Sequence, residues 1–269
     1  MTIVNVNGTS LNYESAGQGN PIVFLHGFSG STQDWANQMK ALSPKYRVIA
    51  VDGRGHGKSG APAREEDYSI PVFAEDIYAL LKTLGIKKCC LGGHSYGGFT
   101  ALQFAVTHPE MLAGLVLVDT SSESITRDAG YAQMRQKLND LARTQGLAAA
   151  FEYDAAHNPM RIERFQKHPE QREIALKKVL NTSVNGYIYT SSAIDKRPVV
   201  TDQLGKIKVP TIIFWGDEDT PFTQPVQVLK QKIAGAELVT VKGSGHSPHE
   251  EKPEVFNQAL LKFLDKVKW

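Results

Sequence analysis

Residues 93–98 read Gly-His-Ser-Tyr-Gly-Gly, and the chain on either side of them predicts how the molecule is built. The apolar run 89–91 comes directly before this stretch, and the apolar segment 99–106 comes directly after it. This order is typical of a buried strand that turns sharply into a helix. At such a turn Ser95 needs a crowded backbone conformation, and glycines two residues before and after it remove the Cβ atoms that would collide. The stretch therefore predicts a strand–turn–helix unit with a serine hydroxyl at its apex.

Strands and helices alternate along most of the 269 residues, which predicts an α/β domain with a mostly parallel sheet. The amino-terminal pair of strands is the exception, because Asn7-Gly8 between them favours a tight antiparallel hairpin. The later strands are short apolar runs of the kind that are buried on both faces. The eight predicted strands are 2–6, 11–15, 22–25, 48–51, 89–92, 115–119, 211–215 and 238–241.

The alternation stops between residues 122 and 205. This stretch has no convincing buried strand, and its apolar residues recur at helical spacing among many Lys, Arg, Gln and Glu. We expect a helical lid inserted after the sixth strand, because a separate small layer can close a site off from solvent. A helical elaboration that only stabilises one edge is the alternative. The predicted organisation is a core of residues 1–121 and 206–269 with a lid of residues 122–205.

The composition excludes several classes of protein. The formal net charge of +2 gives no electrostatic reason to expect nucleic acid or an anionic membrane as a partner. Cys89 and Cys90 are adjacent, which excludes a disulfide scaffold and argues against a zinc site. No segment has the roughly 20 apolar residues of a membrane helix, and the polar start does not read as a secretion signal. We expect a cytoplasmic protein with a small-molecule substrate; the oligomeric state is not predicted.

A serine hydroxyl becomes nucleophilic only when a base takes its proton, so a histidine is needed near Ser95. His246 lies in the flexible stretch 243–248, between the last strand and the last helix, where a loop reaches the functional edge of an α/β sheet. His249, three residues later, is the competitor. His94 is the direct neighbour of Ser95 and cannot turn back on it. His246 is the predicted base.

The histidine in turn needs a carboxylate that holds its tautomer. Asp217, Glu218 and Asp219 directly follow the strand 211–215, and Asp119 ends the strand before it. The residues alone leave the choice divided between Asp217 and Asp219. In each case the chain order is serine, acid, histidine, an order known for hydrolases with a serine on a strand-to-helix turn.

Four motifs together resemble those of the α/β-hydrolase superfamily, in particular its small lid-bearing bacterial esterases, lactonases and carbon–carbon bond hydrolases. The resemblance covers essentially the whole chain, with the insertion matched only in position and helicity. The motifs are Leu25-His26-Gly27-Phe28 with Asp34-Trp35 after it, residues 52–59, residues 93–98, and residues 216–219 together with Gly245-His246.

The resemblance implies roles for individual residues. It places the acid three residues past Gly216, at Asp219, and assigns the backbone N–H groups of Phe28 and Tyr96 to the binding of an oxyanion. It makes His26 a residue that orders the loop around Phe28. Lid-bearing relatives that open epoxides or remove halides carry aspartate at the position of Ser95, so those activities are disfavoured.

We therefore expect a serine hydrolase that cleaves carboxylic esters of small molecules through an acyl-enzyme, with Ser95, Asp219 and His246 as catalytic residues. No metal, nucleotide or organic cofactor is implied. A lactonase similar to 3-oxoadipate enol-lactonases, or a carbon–carbon bond hydrolase, is the alternative. A further alternative is a ligand receptor that has the same fold and turns over slowly. Trp215 is a possible pocket residue beside Phe28 and Tyr96, which would favour an apolar or aromatic group.

Overall fold

In a computed structural model, which describes residues 2–124 and 129–269, eight strands form one sheet in the order β1-β2-β4-β3-β5-β6-β7-β8. Among these strands only β2 runs against the others. The mostly parallel α/β sheet predicted from the sequence is confirmed. The strands are β1 Thr2–Val6, β2 Thr9–Ala16, β3 Pro21–Leu25, β4 Arg47–Val51, β5 Cys89–His94, β6 Leu112–Val118, β7 Thr211–Gly216 and β8 Glu237–Val241.

The hairpin between β1 and β2 turns at Asn7 and Gly8, as the sequence predicts. Both residues have positive φ, 44° and 75°. A two-residue hairpin loop with positive φ at both positions matches the twist of the flanking strands, and Asn-Gly is the pair that adopts it most readily.

Helices cover both faces of the sheet. One apolar cluster packs α2 Ile70–Thr83, α3 Tyr96–Thr107 and α9 Thr223–Lys232 against one face. The other cluster packs α1 Ala36–Leu42 and α11 Pro253–Leu264 against the opposite face, and the one-turn helix α10 Pro248–Glu251 precedes α11. Since both faces are covered, the central strands are apolar throughout; every residue of β6 is buried.

The order of the strands creates a crevice at one edge of the sheet. β3 and β5 are neighbours, yet the chain leaves β3 toward β4 on one side and reaches β5 on the other. Loops that leave the carboxyl ends of two such strands diverge, and the gap between them is where α/β proteins bind ligands. The loop that begins at His26 follows β3, and Ser95 follows β5.

The described residues between β6 and β7 form five α-helices, within the segment where the sequence predicts a helical lid. They have a small apolar core of their own, built around Leu138, Phe151 and Tyr187. Residues 125–128 of the predicted segment lie outside the described residues. The helices are α4 Ala129–Thr144, α5 Leu147–His157, α6 Pro159–Lys167, α7 Glu170–Leu180 and α8 Val184–Asp195. We call these five helices the insertion; its role as a lid stays a prediction.

The insertion joins the core through close backbone contact at the start of α8. The N–H of Ser183 donates to the carbonyl oxygen of Gly55 at 2.8 Å. A Cβ on Gly186 would lie 2.3 Å from the same carbonyl oxygen. A side chain at position 186 would therefore separate the insertion from the core.

Candidate active site

Ser95 stands at the turn between β5 and α3 with φ 49° and ψ −112°. Positive φ is costly for a residue with a side chain and is maintained only where the surroundings impose it. A Cβ on Gly93 would lie 2.1 Å from the carbonyl oxygen of Gly97, and one on Gly97 would lie 2.4 Å from that of Leu25. Both glycines of the pattern are thus sterically required, for the reason that the sequence suggested.

His246 lies in the loop between β8 and α10, and its imidazole contacts a carboxylate. Its Nδ1 is 2.6 Å from Oδ2 of Asp219. Asp219 is almost fully buried, whereas 29% of the His246 side chain is exposed. When Nδ1 donates to a carboxylate, Nε2 is the nitrogen that accepts a proton. Nε2 of His246, the ring nitrogen that does not contact Asp219, is therefore available to accept a proton.

The half-buried Glu251 and the buried His94 hold the His246 loop in place. Oε2 of Glu251 accepts a hydrogen bond from the N–H of Gly245 at 2.6 Å. Nε2 of His94 donates to the carbonyl oxygen of His246 at 2.6 Å. Burial, together with the neighbouring histidines, lowers the pKa of His94 well below its usual value, so this ring stays neutral. Sequence reasoning set His94 aside as a neighbour of Ser95 and missed this contact, which only the tertiary structure creates.

Asp119, the outside candidate for the acid, is buried beside Asp219. Its Oδ1 accepts a hydrogen bond from the N–H of Gly216 at 3.2 Å. Burial and the neighbouring Asp219 carboxylate raise the pKa of Asp119 well above its usual value. A carboxyl group whose charged form is disfavoured by burial is poorly suited to stabilise an imidazolium ion.

Asp217, the other candidate, lies elsewhere. Its Oδ1 accepts a hydrogen bond from the N–H of Gly243 at 2.8 Å, and its side chain is exposed.

The competing base His249 is fully buried, with its ring stacked on Trp35 at 4.3 Å. Burial lowers the pKa of His249 well below its usual value. Of the acids and bases considered from the sequence, the structure brings Asp219 and His246 together.

Ser95 and His246 line one cavity of about 580 Å³ beneath the insertion. This volume is within the range of small-molecule sites. Within the described residues no hydrogen bond joins the Ser95 hydroxyl to His246. A longer nucleophile–base separation is common in structures without substrate.

The loop after β3 carries Phe28 to the same cavity. Nδ1 of His26 donates to the carbonyl oxygen of Gly27 at 2.7 Å, and its Nε2 accepts from the N–H of Gly53 at 2.9 Å. His26 therefore orders this loop, as the resemblance implied. Within the described part of the chain, the N–H groups of Phe28 and Tyr96 have no backbone acceptor. Phe28 lines the cavity, whereas Tyr96 follows Ser95 and is not among the lining residues, so its part in binding an oxyanion stays a prediction.

Trp215 does not lie where the sequence analysis expected it. It is not among the residues that line the cavity. Its indole Nε1 donates to the carbonyl oxygen of Asp219 at 3.1 Å. The expectation of a pocket residue was wrong, because the side chain at this end of β7 points along the acid loop and holds it.

An ion-pair cluster on the cavity wall connects the insertion to the core. Nζ of Lys178, on α7, is 3.2 Å from Oδ1 of Asp34 and 2.7 Å from Oε2 of Glu250. Burial raises the pKa of Asp34 to about 7, and the attraction of Lys178 opposes that rise. The lysine offsets the cost of burying two carboxylates at the base of the insertion.

Replacing Lys178 with methionine is expected to lower the free energy of unfolding by about 3 kcal/mol, because the buried Asp34 and the half-buried Glu250 lose their partner. Lys177→Met is the matched control. Lys177 is 73% exposed and pairs with Glu173 one turn away, so its loss is expected to cost under about 0.5 kcal/mol. Urea denaturation of both variants measures the difference. Equal losses would contradict the proposed contribution of the cluster.

No metal site is formed by the described residues: they include no group of three or more His, Cys, Asp or Glu arranged to hold an ion. None of their helices is both long and apolar enough to cross a bilayer.

A family model described as the alpha/beta hydrolase fold matches residues 20–253. The chain belongs to this family. Among curated relatives, the AB hydrolase superfamily protein YisY of Bacillus subtilis is 30% identical over 263 residues, which cover 93% of each chain. Epoxide hydrolase 4 of Mus musculus is 25% identical over 283 residues, 96% of this chain and 77% of the relative.

Solved structures with the same fold include enzymes with different names. A thermophilic esterase from Thermogutta terrifontis, with malate bound, superposes with a TM-score of 0.85 at 28% identity over 98% of this chain and 97% of the esterase. The enol-lactonase from Burkholderia xenovorans LB400 gives a TM-score of 0.84 at 26% identity over 98% of this chain and all of the lactonase. This α/β hydrolase therefore has relatives that act on different bonds, and fold alone does not choose among them.

Proposed function

We propose that this α/β hydrolase is a serine hydrolase that cleaves carboxylic esters of small molecules. The observation that carries the proposal is the 2.6 Å contact between His246 Nδ1 and Asp219 Oδ2, on the wall of the cavity that Ser95 also lines. Serine, histidine and a carboxylate in this relation support acyl transfer.

The proposed reaction has two steps. His246 Nε2 accepts the hydroxyl proton as Ser95 Oγ attacks the substrate carbonyl. The N–H groups of Phe28 and Tyr96 donate to the oxygen of the tetrahedral intermediate. His246 gives the proton to the leaving alcohol, which leaves an acyl-enzyme. Water then attacks the acyl group while His246 accepts its proton, and the acid product leaves as His246 returns the proton to Ser95 Oγ. Asp219 stays ionised throughout.

The identity of residue 95 favours ester over epoxide chemistry, although an epoxide hydrolase is among the relatives. An epoxide is opened by displacement at carbon, which in the lid-bearing relatives is the work of an aspartate at this position. A serine activated by histidine attacks a carbonyl instead. Its location on a strained, glycine-flanked turn supports that role.

A substrate panel tests the proposal. Purified protein is compared on p-nitrophenyl esters, lactones, thioesters and vinylogous diketones, with Ser95→Ala run in parallel. We expect sustained turnover of esters by the native protein alone. Faster lactone or diketone cleavage would move the assignment to a lactonase or a carbon–carbon bond hydrolase. A single slow turnover with retained product would indicate a ligand receptor, and equal rates in both proteins would overturn the proposal.

A further inference from the structure

Arg135 differs from the other cations on the wall of the cavity that contains Ser95. Arg161, Arg164 and Lys178 line the same cavity. Each of these three has a carboxylate partner: Asp154 at 3.1 Å, Glu251 at 2.8 Å, and the cluster of Asp34 and Glu250. Among the described residues Arg135 has no carboxylate within 4.0 Å.

The Arg135 guanidinium is also short of hydrogen-bond acceptors. Its Nε and Nη2 are buried and, within the described residues, have no partner. Its carbon Cζ lies 5.7 Å from the ring centre of Phe28 and 5.3 Å from that of Tyr187. Burial raises the pKa of the Tyr187 phenol, and the nearby Arg135 charge opposes that rise. These contacts place the charge against apolar rings and leave most of its donors unused.

The carboxylate that shares this neighbourhood is already engaged. Asp154 and Arg135 are both close enough to Tyr187 to affect the pKa of its phenol, in opposite directions. Its Oδ2 accepts from Arg161 at 3.1 Å, and its Oδ1 accepts from Asn158 at 2.9 Å. Rearrangement of Asp154 toward Arg135 would break both bonds. The missing partner of Arg135 is therefore best supplied from outside the protein.

Buried donors without a hydrogen-bond partner are costly, and proteins rarely leave them so. Building on the proposed ester hydrolysis, we propose that Arg135 binds a carboxylate group of the substrate at the end of the molecule away from the scissile bond. One unpaired cation matches a monoanion, and the planar fork of a guanidinium fits a carboxylate. The substrate class is then that of carboxylate-bearing esters.

The position of Phe28 sets the spacing between carboxylate and scissile bond. The backbone N–H of Phe28 is the proposed oxyanion donor, whereas its ring lies under Arg135. The oxyanion donor and the guanidinium thus lie toward opposite ends of Phe28, with Arg135 Cζ 5.7 Å from the ring centre, so the carboxylate and the scissile carbonyl are separated by several bonds. A linear dicarboxylic half-ester such as an adipate can span this gap.

Two substrates that differ in one methyl group test the proposal: mono-p-nitrophenyl adipate and p-nitrophenyl methyl adipate. After subtraction of spontaneous hydrolysis, the native enzyme is expected to favour the free acid by roughly 10- to 100-fold in kcat/KM. Arg135→Gln should abolish this preference by lowering kcat/KM for the acid and leave the methyl ester within about threefold. Arg135→Lys should restore part of it, since the charge remains but the fork does not.

Arg172→Gln is the matched control. Arg172 is on the same insertion, pairs with Glu152, is 45% exposed and does not line the cavity, so the preference should persist. A purely structural Arg135 would instead predict that Arg135→Gln lowers Tm and slows both substrates equally. That result, or the absence of any preference in the native enzyme, would overturn the proposal.

A binding measurement separates this proposal from the proposed function. Calorimetry on Ser95→Ala compares monomethyl adipate with dimethyl adipate, with and without Arg135→Gln. We expect the monoanion to bind roughly 10-fold or more tightly than the diester only when Arg135 is present. If no ester is hydrolysed in a Ser95-dependent manner, ester hydrolysis fails as the function while this measurement still decides the role of Arg135. Equal binding of the two adipates would reject the carboxylate subsite alone.

Discussion

Replacing Ser95 with alanine is expected to lower kcat for p-nitrophenyl esters by about 10⁴- to 10⁶-fold, because the proposed covalent route has no other nucleophile. Alanine keeps the Cβ that the turn already accommodates at φ 49°, so the fold should be retained. A fluorophosphonate probe should label the native protein at Ser95 and leave the variant unlabelled. Stopped-flow release of nitrophenolate and mass spectrometry of the labelled peptide measure the two effects.

Ser192→Ala serves as the control for this variant. Ser192 lies on the surface of the insertion, where its hydroxyl donates to Glu65 at 2.8 Å, and it does not line the cavity. Its removal should change neither turnover nor labelling. Labelling of Ser95→Ala at another residue, with turnover retained, would show that the nucleophile lies elsewhere.

Replacing Asp219 with asparagine is expected to lower kcat by about 10³- to 10⁴-fold, with little change in Tm. An amide at this position can donate to Nδ1 of His246 and so favour the wrong tautomer, which leaves Nε2 unable to accept the serine proton. KM should change much less than kcat, because the amide has nearly the same size as the carboxyl group. Steady-state kinetics with one ester separate the two parameters.

Asp217→Asn is the matched control, since both residues are on the loop after β7. The Asp217 side chain accepts one hydrogen bond from a backbone N–H, which asparagine can still accept through its amide oxygen. Activity should stay within a few-fold of the native value. If Asp217→Asn were the damaging change and Asp219→Asn the mild one, the acid assignment would have to move.

Local pattern was enough to predict the sheet. The apolar runs are short and buried on both faces, and Asn7-Gly8 fits the positive φ values of the first hairpin. The turn at Ser95 was predictable because its glycine pattern is local in sequence, and Gly93 faces the carbonyl oxygen of Gly97 within the same turn. Gly97 faces the carbonyl oxygen of Leu25 on β3, a contact that the sequence alone does not reveal. The helical insertion also follows from periodicity.

The candidate site was predictable only in part. The residues alone left Asp217 and Asp219 as equal candidates. Neighbouring side chains on one loop point in different directions, and no sequence pattern shows which of them faces the histidine. The resemblance to a family favoured Asp219, and the structure places that carboxylate against His246. Trp215 was misplaced because the direction of its side chain depends on the loop that follows β7.

The order of apolar runs and the glycine pattern around Ser95 determined the fold and the serine at its turn, because both are visible in residues close together in the sequence. Only the tertiary structure decided which acid meets His246, that His94 holds the His246 loop, and that Arg135 alone among four cavity cations lacks a carboxylate partner within the described residues. The reason is that ion pairing and side-chain direction depend on residues far apart in sequence, and no local pattern encodes those distances.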